Sequence, residues 1–481
     1  MSDEWEFPDA DPMPRDDVPI ERLTFPQSLH MSTRLIEDAV VVIPGIMGTE
    51  LIDTSTGKLL WGLKPRLLAQ MWISRTSLTR LAVTRDHAVQ PGRLLRVPAF
   101  APVLAGIEPY TNLVAELRNI VRHESAILEF GYDWRLSVRH NAGLLAEAID
   151  RHVDAWRVRS DRRDAKVHLV AHSMGGLLCH SLAAIPGATD KVASTITLGT
   201  PFEGAAKAMV MLNSGEGTPL RSGQLQAIAV TMPGIYDLLP TYRCIDEGDT
   251  IRALTATDVA AAGADRDLAD AALAHRAELA DVPIPQHRAL IGIDQPTMCS
   301  LALDAGRIET LFHTFEVDQA GEPVRHVNGI LKRFPGLGDG TVPRNSAVPL
   351  HQRCTTPLPQ QHGPIARTDE AIAFVRDRLL NLDTGPRLGA GDLGIYLPDI
   401  VGVGAEFNIA VNGADNPDDI RATIEDVATG EQIDRPHAQR RDGELVVPAT
   451  IYTPGLHRIR IDGSAVSAVT QLVLADPGNH R

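Results

Sequence analysis

The sequence predicts an α/β protein built on a mostly parallel sheet and followed by a small all-β sandwich, and three observations predict it. Ala39–Ile43 reads AVVVI, a continuous and largely β-branched run of the kind buried on both faces of a parallel sheet. Runs of the same type recur at 167–171, 195–198 and 289–293, separated by helical patterning around 111–122, 141–158 and 174–184. Strands alternating with helices imply a sheet covered on both sides. From about 390 the helical period gives way to short alternations: Phe407, Ile409, Val411; Ile420, Ala422, Ile424; His457, Ile459, Ile461. Turn signals at Asn412-Gly413, Thr429-Gly430 and Asp462-Gly463 separate them, the texture of an antiparallel, immunoglobulin-like sandwich.

A chain of 481 residues exceeds one ordinary core. The acidic, proline-rich stretch 1–35 is expected to be a flexible arm, 36–385 the α/β unit and 386–481 the sandwich. Within the α/β unit, 203–285 reads as an insertion, with a Gly/Ser/Pro-punctuated loop near 214–217 and an Ala/Asp-rich helical stretch near 254–280; a cap or lid and an ordinary helical excursion with no gating role are equally open. Apolar residues make up 44% of the chain but aromatics only 4%, so aliphatic side chains must build most of the core.

The formal charge of −15 opposes nucleic-acid binding, because phosphate backbones select basic surfaces. Any membrane contact is expected to be peripheral, local and apolar. The N-terminus has no basic segment leading into an apolar run, and no stretch reaches the roughly 18–20 apolar residues that span a bilayer, so a cytoplasmic location is expected. Cys179, Cys244, Cys299 and Cys354 show no Cys-x-x-Cys or His-Cys grouping, which argues for free thiols rather than disulfides or structural zinc. Nothing suggests a metal or organic cofactor.

The chemistry starts at Val167-His168-Leu169-Val170-Ala171-His172-Ser173-Met174-Gly175-Gly176. A buried strand runs into a turn at Ser173 and then into a helix-compatible segment, the context of a nucleophile elbow in an α/β-hydrolase fold. Small residues must flank the serine two positions to each side; Gly175 does so, and Ala171 stands where glycine is commoner. A serine that merely caps a helix is the alternative, and the agreement of strand, turn and helix argues against it. The Met174 N–H, at the helix start, would stabilise an oxyanion.

In such hydrolases the acid and then the histidine follow the nucleophile along the chain. Asp339, within Gly338-Asp339-Gly340-Thr341, is a carboxylate among glycines that allow a tight turn. His362 occupies a loop just before a helix that should start near 368, and it is preferred over His351, which follows Asp339 too closely to leave room for an intervening element. In these roles His362 is the general base toward Ser173, and Asp339 orients the imidazole. Pro44-Gly45-Ile46-Met47-Gly48 ends the first strand, and the Ile46 N–H is the candidate second oxyanion donor.

These pieces together resemble the lecithin:cholesterol acyltransferase and lysosomal phospholipase A family of α/β-hydrolases. The matching motifs run in order over about 39–382: the 42–49 stretch, Leu60-Trp61-Gly62, Tyr132-Asp133-Trp134-Arg135, the elbow, Leu198-Gly199-Thr200-Pro201-Phe202-Glu203-Gly204 and Gly338-Asp339-Gly340-Thr341-Val342-Pro343. The resemblance implies Ser173, Asp339 and His362 as the triad, and Ile46 and Met174 as the oxyanion donors. It also implies an apolar subdomain beginning near Leu67-Leu68-Ala69-Gln70-Met71-Trp72-Ile73, with Trp61, Met71 and Trp72 as candidate substrate or membrane contacts; plain helix packing is the alternative for this stretch and is slightly favoured over lipid docking. The secretory signal and disulfides of secreted members have no counterpart here, and the terminal sandwich lies outside the family pattern.

The expected activity is a serine esterase or lipase acting on acyl esters of lipids, phospholipase type included, with transfer to an acceptor alcohol open. Two other readings stay open: a soluble small-molecule carboxylesterase, and a non-catalytic binding module that engages a partner through the sandwich.

Overall fold

The structure is a computed structural model and describes residues 35–62, 78–84, 88–95, 110–215, 222–304, 306–318, 321–348, 355–382, 393–414, 416–427, 429–441, 443–463 and 466–476. The arm 1–34, the segment with Met71 and Trp72, His351, Cys354 and the boundary near 385 lie outside these residues.

Six strands form the central sheet: β1 (Ala39–Ile43), β2 (Ile127–Glu129), β3 (Val167–His172), β4 (Val192–Leu198), β5 (His287–Gly292) and β6 (Thr355–Leu358), in the order β6-β5-β4-β3-β1-β2. Every neighbouring pair is parallel. The β-branched run of β1 sits in the middle with all five residues buried. Helix α1 (Thr111–Ile120) lies in the crossover from β1 to β2, and α2 (Val138–Ser160) and α3 (Met174–Ala183) flank β3 in sequence. Ser137 caps α2 by accepting from the His140 N–H. Trp156 of α2 is fully buried and donates its indole N–H to the Glu37 carbonyl, which pins that helix to the sheet.

The 203–285 insertion contains helices α4 (Ala206–Asn213), α5 (Ser222–Ala229), α6 (Ala256–Ala261) and α7 (Arg266–Glu278), but it is not only helical. Strands Arg243–Asp246 and Ile251–Ala253 join Ser300–Asp304 and Arg307–Leu311 in a four-stranded sheet. The insertion therefore shares its fold with the chain beyond it. Helix α8 (Asp369–Leu379) closes the α/β unit, its Thr368 cap accepting from the Ala371 N–H.

The C-terminal unit has two sheets. One contains β7 (Gly394–Tyr396), β9 (Glu406–Asn412), β12 (Gln439–Arg441) and β13 (Glu444–Thr450); the other contains β8 (Ile400–Gly402), β10 (Ile420–Asp426), β11 (Gln432–Asp434), β14 (Gly455–Gly463) and β15 (Val466–Asp476). The alternating residues Phe407, Ile409, Val411, Ile420, Ala422, Ile424, Ile459 and Ile461 all face one shared apolar cluster. Pairing is antiparallel except for β8 with β15, which run parallel; the expected all-antiparallel pattern is corrected at that edge. No described helix is long and apolar enough to cross a membrane.

Candidate active site

Ser173 follows β3 and precedes α3 with φ 51° and ψ −126°, a conformation strongly disfavoured for a residue with a Cβ. The turn closes through the Ser173 N–H to the Leu198 carbonyl (2.9 Å) and the Gly176 N–H to the Ser173 carbonyl (3.0 Å). Gly175 is required by close approach: a Cβ there would stand 2.6 Å from the Pro44 oxygen and 2.7 Å from the Ile43 oxygen. Ala171, two positions before the serine, is fully buried within β3.

His362 Nε2 lies 2.9 Å from Ser173 Oγ, and His362 Nδ1 lies 2.7 Å from Asp339 Oδ2. A carboxylate only accepts, so Nδ1–H donates to Asp339 and Nε2 is left to accept from the serine hydroxyl. Asp339 is held on its other oxygen by the Val342 N–H (2.6 Å) and the Thr341 N–H (3.0 Å). The His362 N–H donates to the Asp339 carbonyl at 2.8 Å, and the Thr297 hydroxyl accepts from the Gly340 N–H at 2.8 Å. The sequence therefore singled out three side chains, 189 and 23 residues apart, that the fold brings into one hydrogen-bonded line.

Of the two expected oxyanion donors, Met174 is the first residue of α3, where an N–H has no intrahelical acceptor. Ile46 sits in the 44–48 loop beyond β1. Gly45 of that loop approaches the nucleophile so closely that a Cβ on it would lie 2.9 Å from Ser173 Cβ.

Four aromatic side chains fix the 44–49 segment, this loop and the first residue of the strand after it, through its backbone. The Trp61 indole N–H donates to the Met47 carbonyl (2.8 Å), the Tyr132 hydroxyl to the Pro44 carbonyl (3.0 Å), the Trp134 indole N–H to the Thr49 carbonyl (3.2 Å), and Tyr110 Oη accepts from the Gly45 N–H (2.8 Å). Trp61 and Trp134 pack edge to face with centroids 5.4 Å apart. Asp133 and Arg135 form a buried two-point ion pair at 2.9 and 2.7 Å, and Arg135 also donates to the Leu81 carbonyl. The Tyr-Asp-Trp-Arg motif is thus a brace for the loop beside the serine. Trp61, expected at a substrate or membrane surface, is 1% exposed; its anchoring bond and ring packing take it off any surface a lipid could reach.

His172 was read only as part of the elbow, yet it joins the two sides of the site. Its Nε2 lies 3.2 Å from the His362 carbonyl and must donate there, so Nδ1 accepts the Tyr110 hydroxyl at 2.8 Å. Burial, helped by the electrostatic influence of nearby His362, lowers the His172 imidazole to about 3, in keeping with a neutral ring. Burial also raises the Tyr110 phenol and the Cys179 thiol well above their ordinary ranges; Cys179, Cys244 and Cys299 are free and buried. Among the described residues no group of His, Cys, Asp and Glu could hold a metal ion.

A parallel sheet whose strand-to-helix turn presents a serine to a histidine and an aspartate from later loops defines the α/β-hydrolase class. The sequence model of the lecithin:cholesterol acyltransferase family matches residues 66–273, and over that span the chain is similar to that family. That span includes Ser173, whereas Asp339 and His362 lie beyond it. The chain is 24% identical over 173 residues to the uncharacterized protein YJR098C of Saccharomyces cerevisiae, covering 35% of this chain. It spans about a quarter (24%) of that relative's length. Among solved structures it is similar to the mature lipase BlEst2 of Bacillus licheniformis, at TM-score 0.34 and 13% identity over 71% of this chain and 91% of that one. It is also similar to the phospholipase PlaB of Legionella pneumophila, at TM-score 0.28 and 9% identity over 92% and 90%.

Proposed function

We propose that this protein hydrolyses acyl esters of lipids through a Ser173–His362–Asp339 triad and an acyl-enzyme on Ser173. The observation that carries the reading is the continuous hydrogen-bonded line from the strained Ser173 through His362 to the buried Asp339. In this reading Ser173 Oγ attacks the ester carbonyl carbon while His362 Nε2 takes the hydroxyl proton. Asp339 holds Nδ1–H and stabilises the imidazolium. The backbone N–H groups of Met174 and Ile46 receive the oxyanion, and each such donor is worth about 3–4 kcal/mol in comparable hydrolases. His362 then returns the proton to the leaving alcohol, and a water activated by the same histidine releases the acid. An acceptor alcohol in place of water would give acyl transfer.

In the same reading the 203–285 insertion is a cap over the strand ends. Its short helix Pro233–Tyr236 supports this, since a Cβ on Gly234 would stand 3.0 Å from the Met174 side chain, beside the elbow.

The test begins with a fluorophosphonate probe, which is expected to label wild type and not Ser173→Ala; equal labelling of both would overturn the assignment. Mixed membrane lipids incubated with the two proteins are then analysed by mass spectrometry. Fatty acid and lysolipid released by wild type alone support a phospholipase, whereas turnover confined to short soluble esters removes the lipid assignment and leaves a carboxylesterase.

A further inference from the structure

We infer that the C-terminal β unit positions His362, acting through Gln295, Gln360 and Gln361. This inference rests on the proposed role of His362 as general base. Gln360 and Gln361 immediately precede the histidine, and both turn their amides into the β unit. Gln360 is 2% exposed; its Oε1 accepts from the Thr470 N–H at 3.1 Å, and its Nε2 donates to the Ala468 carbonyl at 3.2 Å. One side chain thereby occupies alternate backbone groups of β15, as a neighbouring strand would. Gln361 Nε2 donates to the Ile395 carbonyl (3.1 Å) and to Gln295 Oε1 (3.2 Å).

Gln295 completes the arrangement from the acid's side. It is fully buried and its backbone bridges to Asp339. Its Oε1 accepts the Ile395 N–H at 3.0 Å, and its Nε2 donates to the Leu393 carbonyl at 3.0 Å. Three amides therefore make five hydrogen bonds to the backbone of β7, β15 and the residue leading into β7. A buried amide that loses such a partner is left unsatisfied, so the segments carrying His362 and Asp339 have their low-energy placement only against the folded β unit. None of the three amides faces the reacting atoms, which makes them positioning residues.

The test uses the full chain. Gln360→Met and Gln361→Met keep side-chain length and remove the amide bonds. Each is expected to lower kcat about tenfold or more with KM changed less than about twofold, and to slow fluorophosphonate labelling by the same factor. Gln471→Met, which removes amide bonds wholly inside the β unit, is the control and is expected to keep wild-type kcat. Wild-type kcat in folded Gln360→Met and Gln361→Met would overturn the inference.

Should those variants fail to fold, Ile459→Ala supplies a second route, because Ile459 lies in the β-unit core and every tryptophan lies at or before Trp156. In rising urea this variant is expected to lose ester hydrolysis as amides of 444–476 begin to exchange, while tryptophan emission stays native. Full activity in molecules with an exchanged β unit would also overturn the inference. Failure of the triad assignment is separate: it would appear as hydrolysis retained by Ser173→Ala.

Discussion

Two loops flank Ser173, and they are fixed by different chemistry. The 44–49 loop is held by the polar tips of Trp61, Tyr110, Tyr132 and Trp134, whose rings belong to the main apolar core. The loop before His362 is held by neutral amides that reach into a second unit with its own core. An aromatic ring couples its hydrogen bond to burial of a large apolar surface, so the first loop is as firm as the core itself. An amide contributes little apolar burial, so the second loop is only as firm as the contact between units. Four of the chain's aromatics thus hold the one donor position beside the nucleophile that must not drift.

The largest break on the aromatic side is Trp134→Ala. Its ring is 1% exposed and packs on Trp61. Truncation removes that packing and leaves a cavity, a change that costs about 3–5 kcal/mol. Chemical denaturation is expected to show a loss of this size, well above that of Gln361→Met. A loss no larger than that of Gln361→Met would erase the distinction between the two loops.

His172 is where the loops meet, and acid tests it. Its folded value of about 3 lies below the ordinary 6.5, so below pH 6.5 the unfolded chain takes up a proton that the folded one refuses. Stability from this group is complete above pH 6.5 and is lost as pH falls toward 3, by up to about 1.4 kcal/mol per pH unit for the one proton. Buried His180, pushed down to about 4, adds in the same direction. Urea midpoints measured between pH 7 and pH 4 are expected to fall in wild type and to fall less steeply in His172→Gln. Equal slopes would mean that His172 does not sit neutral between Tyr110 and the His362 carbonyl.

Tyr110→Phe is the next smaller change. It keeps the ring and removes the hydroxyl that accepts from the Gly45 N–H and donates to His172 Nδ1. Two buried partners lose their bond, which costs about 1–3 kcal/mol. Because the 44–48 loop carries the Ile46 N–H, kcat for a soluble ester is expected to fall about tenfold with KM little changed. An unchanged kcat would detach this loop's anchoring from the chemistry.

Legibility in the sequence followed locality. The apolar run 39–43 and the strand before Ser173 are continuous segments whose burial is written in their own residues. Ser173, Asp339 and His362 could be named as candidates from the sequence because each falls at a turn or loop beside a recognisable element. The strands Arg243–Asp246 and Ile251–Ala253 were missed because they are short; they pair with each other, and only Arg243–Asp246 reaches a distant partner, where Leu301 alone registers against Ile245. Tyr110 acts through one oxygen, and no spacing along the chain announces that. Gln360 and Gln361 stand beside His362 in the sequence, but their partners Ile395, Ala468 and Thr470 lie 34 to 110 residues away. Trp61 was misjudged for the same reason, since an aromatic near an apolar stretch reads as surface until its packing partner at Trp134 is known.

Trp61→Phe is expected to have the smallest effect, and it separates the two components of the aromatic brace. Phenylalanine keeps most of the apolar contact with Trp134 and loses only the indole N–H that donates to the Met47 carbonyl. One neutral hydrogen bond is worth about 0.5–1.5 kcal/mol net, so the denaturation midpoint should move slightly. Met47 holds φ 63°, a left-handed value uncommon for a side-chain-bearing residue, and the lost bond is one of those that hold it there. Turnover of a soluble ester is therefore expected to fall about two- to fivefold. Flotation with liposomes should stay at the wild-type level, because the ring is buried. Weakened flotation with unchanged turnover would reverse the assignment and return Trp61 to a lipid-facing role. A turnover loss as large as that of Tyr110→Phe would instead mean that single bonds, rather than ring packing, keep the 44–49 loop in place.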